Sequence, residues 1–191
     1  MSEEYLELMK HGSMHVDDPH AALEEILSIL VNFFEERRVL ILDAGCGYGH
    51  SLEVISRVSD SALIETLSFD INLDAVVWLN KNREMHAFKT LLGVVCCSLE
   101  TLPFRNNSFH IAVSSLVLHH LSKASKGLSE LIRICKNDGY IVIVEWKEGA
   151  GIHSKEELLR TEIDIFNFIK KKGIKYKTFN CEKFYLIIIW K

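Results

Sequence analysis

The sequence predicts an α/β fold, in which helices cover both faces of a mostly parallel β-sheet. Two observations lead to this prediction. Short apolar runs alternate along the chain with longer segments whose apolar residues recur every three or four positions, a pattern typical of successive βα units. Three glycines closely follow the first apolar run, at the edge where open α/β sheets bind their ligands. The length of 191 residues suits one well-buried domain.

The composition argues against several classes of protein. Hydrophobic residues make up 48% and charged residues 25% of the chain, as in ordinary globular proteins. The net charge of −4 gives no general attraction to nucleic acid. No apolar run approaches the roughly 20 residues of a membrane span, and no signal peptide is recognised, so we expect a cytoplasmic protein. Seven lysines in residues 165–191 are interpreted as a solvated strip or as a site for an anionic substrate or partner.

Most of the five cysteines lie in apolar runs and are predicted to be reduced residues of the interior. The five are Cys46, Cys96, Cys97, Cys135 and Cys181. None of them belongs to a Cys-x-x-Cys pair, the spacing that many zinc sites use. We therefore predict no metal site.

The chain before the first strand is interpreted as an arm followed by a helix. Residues 1–16 show no clean hydrophobic period, which indicates a flexible arm or a lid. Asp18 and Pro19 have the chemistry of a helix N-cap and of a first-turn residue. Apolar residues then recur at steps of three and four, so residues 17–38 are predicted to contain an N-terminal packing helix.

The first βα unit carries the ligand-binding turn. Four apolar residues at 39–42 predict a buried strand of a parallel sheet, and Asp43 ends it. Gly45, Gly47 and Gly49 then let the backbone turn sharply and approach a ligand closely. The predicted helix at 50–58 directs its free N–H groups at the same place. The Gly-x-Gly-x-Gly spacing differs from the Gly-x-Gly-x-x-Gly of dinucleotide-binding folds.

The second βα unit supplies an acidic residue. Residues 62–69 predict a strand that ends at Asp70, 21 positions after Gly49. An acid about 20 residues beyond the glycine turn holds the ribose hydroxyls in nucleotide-binding α/β folds, because a carboxylate accepts two hydrogen bonds at once. The alternative is that Asp70 caps the helix predicted at 73–82, and the two roles are compatible.

The middle of the chain continues the alternation. Residues 90–97 predict a third apolar strand, and residues 111–121 contain a fourth strand with its exit. Ser122 is predicted to cap the next helix. The residues of this helix expected to face the interior are Leu128, Leu131, Ile132 and Cys135.

The C-terminal part adds a strand, a helix and two more strands. A turn at 136–139 precedes a fifth strand at 140–146, and a loop follows at 147–153. Ser154 and Glu157 form a capping box for a helix that Gly173 ends. The residues of this helix expected to face the interior are Leu159, Ile163, Phe166 and Ile169. The final strands are predicted near 174–179 and 184–190.

Four stretches resemble the class I methyltransferases that use S-adenosylmethionine (SAM), in particular the UbiE-like, type 11 group. Residues 43–49 read Asp-x-Gly-x-Gly-x-Gly, as motif I of that family does, and residues 70–72 resemble its Asp-Ile-Ser. Residues 98–110 resemble its Asp-Ala-Glu-x-Leu-Pro-Phe-x-x-x-Ser-Phe-Asp block, and residues 115–121 its Ser-x-x-Leu-His-His-Leu. The resemblance runs from about Val39 to Trp146.

The resemblance implies a fold and an activity. The fold would be the Rossmann-like class I methyltransferase fold: a seven-stranded, mostly parallel sheet with an antiparallel last strand and helices on both faces. Residues 1–191 would form a single domain with a SAM-binding core at 39–146 and a C-terminal helix and strand hairpin at 147–191. The protein would transfer a methyl group from SAM to a small-molecule acceptor by in-line displacement, leaving S-adenosylhomocysteine.

The resemblance also implies the residues of the site. The SAM-binding residues would be Asp43, Gly45, Cys46, Gly47, Tyr48, Gly49, Asp70, Ile71, Ser98, Leu99, Ser115 and Leu116. Ser98 stands where the family usually has the aspartate that accepts the adenine amino hydrogen, and His110 replaces another usual aspartate. His119, His120 and His15 are candidate general bases, and His15 with its neighbours is expected to cover SAM. No catalytic residue is assigned, because the sulfonium of SAM is already activated and the enzyme mainly positions the acceptor.

The sequence bears on three other functions. A non-catalytic SAM-binding or pseudo-methyltransferase subunit that acts with a partner protein remains the alternative, and Ser98 favours it. A nicotinamide-dependent reductase would typically carry Tyr-x-x-x-Lys, which this chain lacks. Nucleic-acid methyltransferases usually carry Asn-Pro-Pro-Tyr or Pro-Cys, and the only prolines here are Pro19 and Pro103, followed by His20 and Phe104.

Overall fold

The computed structural model of the protein describes residues 16–34, 38–58, 63–151 and 153–191. The helices are α1 (Pro19–Val31), α2 (His50–Arg57), α3 (Leu73–Asn82), α4 (Ala124–Ile134) and α5 (Lys155–Lys172). The strands are β1 (Val39–Ala44), β2 (Ile64–Asp70), β3 (Leu91–Cys96), β4 (Phe109–Ser115), β5 (Cys135–Trp146), β6 (Lys175–Asn180) and β7 (Phe184–Trp190). Nearly all of the arm at 1–16, including His15, lies outside the described residues.

The described strands form one seven-stranded sheet in the order β3-β2-β1-β4-β5-β7-β6. The pairs from β3 to β5 are parallel, whereas β7 runs antiparallel to both β5 and β6. This confirms the predicted mostly parallel sheet with an antiparallel last strand. Because β1, β2, β4 and β5 are parallel, their carboxyl ends meet at one edge of the sheet, where ligands of open α/β sheets bind.

The core has two main layers, one on each face of the sheet. On one face, Ile41 and Val113 pack against apolar residues of α1 and α2. On the other face, Leu42 and Ile143 pack against α4 and α5. A smaller cluster joins α2 and α3 to β3. None of the helices in the described ranges is long and apolar enough to cross a membrane.

The helix bounds follow the local chemistry that the sequence predicts. Asp18 accepts hydrogen bonds from His20 N and Ala21 N at the start of α1. Ser154 Oγ accepts from Glu157 N at 3.2 Å at the start of α5, and Gly173 ends α5 with a positive φ of 63°. These three termini are confirmed, because side-chain capping and left-handed glycine are local effects.

The predicted inward face of α5 is partly wrong. Leu159 and Ile163 are 40% and 51% exposed. Ile169 is buried as predicted and Phe166 is partly buried, but the other buried residues of α5 are Leu158, Thr161 and Ile165. Thr161 is 3% exposed and occupies the centre of this face. The apolar pattern missed the face because one of its members is polar.

Two predictions around α4 are also wrong. Ser122 is not its N-cap: Lys123 holds that position without a side-chain hydrogen bond, and Ser122 Oγ donates to Glu100 Oε1. The predicted turn at 136–139 is a bulge inside β5. Cys135 pairs with Phe109, and the ladder resumes at Tyr140, so the residues between them leave the regular pairing.

The cysteine prediction holds for three of the five residues. Cys46, Cys135 and Cys181 are buried, whereas Cys96 is exposed and Cys97 is partly exposed. The reason is that β3 lies at the edge of the sheet. Side chains on an edge strand keep contact with solvent that central strands exclude.

Candidate active site

The glycine turn is held against the neighbouring strands. Gly45 N and Cys46 N donate to Phe69 O at the end of β2, at 2.9 and 3.0 Å. Gly45 has a φ of +73°, and a Cβ there would lie 2.6 Å from both γ-methyl carbons of Val117. Gly47 has a φ of +49° and open space where a Cβ would point. The turn therefore packs at Gly45 against the segment that follows β4, and it leaves room for a ligand at Gly47.

Asp70 links this turn to α3. Its Oδ2 accepts a hydrogen bond from Gly47 N at 2.7 Å, and its Oδ1 accepts from Asn72 N at 2.8 Å. Asn72, rather than Asp70, is the N-cap of α3. Because each carboxylate oxygen has two lone pairs, Asp70 can hold the turn and still accept from a ligand.

Asp43 lies under the turn and is fully buried. Its Oδ1 accepts from Ser51 Oγ at 2.6 Å, and its Oδ2 accepts a longer hydrogen bond from Ser68 Oγ at 3.4 Å. Burial raises the pKa of Asp43 to about 6, although the two serine hydrogen bonds oppose that rise. The carboxyl group thus ties the end of β1, just before the glycine turn, to α2 and β2 from inside the protein.

The segment that follows β4 from Leu116 onward, called here the exit of β4, makes an unusual turn. Leu116 has a φ of +61°, which a residue other than glycine adopts at a cost in free energy. After it, Val117 N and Leu118 N both donate to Glu145 Oε1, at 2.8 and 2.6 Å. Glu145 lies on β5 and is fully buried. Its carboxylate fixes the exit of β4 beside the glycine turn.

Three histidines gather at this exit. His119 Nδ1 lies 2.6 Å from Glu145 Oε2, and His119 Nε2 lies 3.1 Å from His153 Nε2. The ring centroids of His119 and His120 are 4.1 Å apart. His119 is buried, His153 is partly buried and His120 is exposed. Partial desolvation of the His120 ring, together with the neighbouring His119 and His153, lowers the pKa of His120.

Several polar atoms near this edge have no hydrogen-bond partner among the described residues. Ser114 Oγ and Ser115 Oγ at the end of β4 are two of them, and Tyr185 Oη on β7 is a third. Tyr185 pairs with Glu145 across β5 and β7, and burial raises its pKa. Buried polar atoms without a partner are rare and call for an explanation such as a ligand or ordered water.

Ser98 and His110, the two residues that depart from the family pattern, have different surroundings. Ser98 is partly exposed, and its Oγ accepts from Glu100 N at 3.2 Å. Leu99 beside it is buried. His110 faces the start of β1, where its Nδ1 accepts from Leu40 N at 2.9 Å. His110 thus takes a structural role that an aspartate oxygen can also fill.

The structure brings most of the predicted site residues to one edge of the sheet. The glycine turn, Asp70 and the end of β4 meet there through the contacts described above. Tyr48 and Ile71 are exposed beside the turn, at 53% and 75%. His15 lies outside the described residues.

Sequence reasoning missed His153, one of the three histidines, and Glu145, the hydrogen-bond partner of His119. Glu145 did leave a signal, since it is the only acid in the apolar run 140–146. A carboxylate in a central strand requires buried donors. His153 left none, because it lies in a loop whose path the sequence does not specify.

Comparisons with known proteins agree with this architecture. The family model described as "Methyltransferase domain" matches residues 42–143. An uncharacterized protein of Methanocaldococcus jannaschii, MJ0638, is 28% identical over 166 residues, which cover 86% of this chain and 63% of that protein. A ubiquinone/menaquinone biosynthesis C-methyltransferase UbiE of Citrifermentans bemidjiense is 32% identical over 107 residues, covering 56% of this chain and 45% of the relative.

A solved structure shows the same fold. The SAM-dependent methyltransferase of Aquifex aeolicus superposes with a TM-score of 0.68 at 18% identity, over 91% of this chain and 98% of that one. The chain spans about half to two thirds of the length of the two curated relatives. Since the family model covers more than half of the residues, the chain belongs to the methyltransferase domain family that this model describes, and the UbiE relatives and the shared fold support a class I SAM-dependent methyltransferase of the UbiE-like group.

Proposed function

We propose that this protein transfers the methyl group of SAM to a small-molecule acceptor at the carboxyl ends of β4 and β5. The observation that carries the proposal is the packing of Gly45 on Val117. This contact puts the cofactor turn next to the β4 exit, where Glu145 and the histidines lie. A cofactor on the turn and an acceptor among the histidines would therefore be neighbours.

The residues of the turn fit SAM. Gly47 offers open space for the close approach of a ligand, and Asp70 keeps lone pairs for the two ribose hydroxyls. Ile71 and Tyr48 are exposed apolar side chains beside Asp70 and Gly47, where an adenosine would cover them. Ser115 Oγ is buried without a partner among the described residues and would gain one from a polar group of the cofactor.

The chain's own contribution is orientation. SAM supplies a methyl group on a sulfonium, which is electrophilic without further activation. Asp43 supports the turn from below through Ser51, and Glu145 fixes the β4 exit through two backbone N–H groups. Holding two reactants in a near-attack geometry supplies a large part of the rate of such reactions.

A small acceptor is supported by charge and by a relative. The net charge of −4 gives no general attraction to nucleic acid. The UbiE relative is named for ubiquinone and menaquinone biosynthesis, so a C-methyltransferase of small molecules is among the similar proteins. The alternative, a SAM-binding subunit that supports a partner protein without catalysis, is favoured by Ser98, whose neutral oxygen is a weaker acceptor than aspartate.

Calorimetric titration with SAM and S-adenosylhomocysteine tests the cofactor site. We expect micromolar binding to the wild type and a loss of tenfold or more in Asp70→Ala, about 1.4 kcal/mol or above. Asp74→Ala is the matched control, because Asp74 is an exposed acid on the first turn of α3. Binding that Asp70→Ala leaves unchanged would contradict the proposed site.

An acceptor screen with isotopically labelled SAM then separates the two functions. Label transferred by the isolated chain to a quinol, thiol or hydroxylated small molecule would support catalysis. Tight SAM binding without transfer to any of these, together with transfer when a partner protein is added, would favour the supporting subunit.

A further inference from the structure

We propose that His119, His120 and His153 bind one transition-metal ion, with Zn²⁺ as the expected metal. Each offers a ring nitrogen, and these nitrogens lie within 4.8 Å of one another. His119 and His120 follow β4, and His153 precedes α5. The cluster therefore joins two loops at the edge of the sheet that carries the glycine turn.

The spacing of two of the nitrogens already suits a shared ion. His119 Nε2 and His153 Nε2 are 3.1 Å apart. Two nitrogens bound to one tetrahedral zinc, each at 2.0–2.1 Å, lie about 3.3 Å from one another. His120 is the exposed member, so its side chain has the freedom to complete the set by rotation.

Glu145 gives His119 the orientation of a metal ligand. An ionised carboxylate only accepts hydrogen bonds, so the 2.6 Å contact places the proton of His119 on Nδ1. The lone pair of a neutral His119 then lies on Nε2, which faces His153. A carboxylate behind a ligating histidine is the usual outer support of metal sites, where it fixes the tautomer and the ring.

The carboxylate of Glu145 is itself held rigidly. Glu145 Oε1 accepts from Val117 N and Leu118 N, so both oxygens of the carboxylate are engaged. Glu145 is fully buried and His119 is 4% exposed. A buried carboxylate held by three donors cannot turn away from the histidine without leaving those donors unpaired.

The type of ligand selects the metal. Imidazole nitrogens suit Zn²⁺, Cu²⁺, Ni²⁺ and Fe²⁺, whereas Ca²⁺ and Mg²⁺ require oxygen ligands. Three protein ligands leave a fourth tetrahedral position open, as in catalytic zinc sites. Only the next step rests on the proposed function. The open fourth position would receive an oxygen or sulfur of the methyl acceptor.

Metal titration of the tag-free, chelator-treated full chain tests the proposal without SAM. We expect one Zn²⁺ per chain by calorimetry and the intense visible absorption of tetrahedral Co²⁺. His120→Ala and His153→Ala should each weaken binding by at least tenfold. His20→Ala is the control, because His20 lies on α1, outside the cluster, and should bind as the wild type does.

Two outcomes would overturn the proposal. One is a wild type that binds Zn²⁺ no more tightly than the double variant His120→Ala/His153→Ala, which would leave the 3.1 Å contact as a plain hydrogen bond between histidines. The other is binding that both single variants leave unchanged, which would place the ion elsewhere. Zn²⁺ should also raise the melting temperature of the wild type but not of the double variant, since a ligand of the folded state stabilises it.

A substitution of Glu145 tests whether its carboxylate supports His119 as a metal ligand. Glu145→Gln should lower Zn²⁺ affinity by about 10- to 100-fold, as the loss of an outer-shell partner does, with circular dichroism confirming its fold. Because no SAM is present in these titrations, failure of the metal site and failure of the cofactor site are separate results.

Discussion

Glu145 and His119 form a hydrogen-bonded pair 2.6 Å apart, with side chains 0% and 2% exposed. Glu145 lies on β5, and His119 follows the end of β4, the parallel neighbour of β5. The two residues are separated by 26 positions along the chain. The same carboxylate also accepts two backbone N–H groups. One side chain therefore decides both the path of the β4 exit and the orientation of the histidine.

Removing this carboxylate should destabilise the fold. Glu145→Ala leaves His119 Nδ1 and two backbone N–H groups without their acceptor, and each buried donor left unpaired costs about 1–3 kcal/mol. Glu145→Gln should cost less, because its amide oxygen still accepts from Val117 and Leu118. Urea unfolding measures both values. Glu182→Ala, an exposed acid between β6 and β7, serves as the control and should change stability by less than about 0.5 kcal/mol.

Much of this architecture could be predicted because it depends on local chemistry. Residues 73–82 form a helix with the predicted bounds, and the alternation of strands and helices gave the sheet. The pairing of Glu145 with His119 could not be predicted, because it depends on which strands become neighbours in space. The outward position of Leu159 was missed for a related reason: the core accepts Thr161 in the place where the pattern expects an apolar residue.

Asp43 should make stability depend on pH. Burial raises its pKa to about 6 from 3.8, so the folded protein binds the proton more tightly than the unfolded chain does. This contribution is fully present below about pH 4 and is lost as the pH rises through about 6, by about 3 kcal/mol in total. The carboxyl group thus destabilises the fold at neutral pH relative to its protonated form.

Asp43→Asn isolates this effect. The amide oxygen can accept from Ser51, as Asp43 does, and the amide nitrogen can donate to Ser68, but the group does not ionise. In urea unfolding between pH 4 and 7, the variant should gain stability relative to the wild type as the pH rises. A difference between the two proteins that stays constant over this range would show that Asp43 has an ordinary pKa.

Ser98→Asp should strengthen the binding of SAM. A carboxylate in place of the hydroxyl forms a charge-assisted hydrogen bond, which contributes about 1 kcal/mol more than a neutral one, or roughly fivefold in affinity. Calorimetry with S-adenosylhomocysteine measures the gain. The control ligand is S-inosylhomocysteine, which lacks the adenine amino group and should gain nothing. An equal gain for both ligands would mean that residue 98 does not face that amino group.

Alanine at Gly45 and at Gly47 should have different effects, although both glycines have a positive φ. At Gly45 the new Cβ would lie 2.6 Å from Val117, so overpacking of about 1–3 kcal/mol adds to the left-handed strain of about 1–2 kcal/mol. At Gly47 only the strain applies, because the Cβ points into open space. Gly45→Ala should therefore lower the free energy of unfolding more than Gly47→Ala does.

Gly47→Ala should instead weaken the binding of the cofactor. The open space at Gly47 is where we place the approach of SAM, so the methyl group of Gly47→Ala should weaken SAM binding by at least tenfold in a protein that stays folded. In the double variant Gly45→Ala/Val117→Ala, the smaller side chain at position 117 should relieve the overpacking at position 45 but not the left-handed strain. Only part of the loss in the free energy of unfolding should therefore be recovered. If Gly47→Ala bound SAM as tightly as the wild type, the ligand would have to approach the turn from another side.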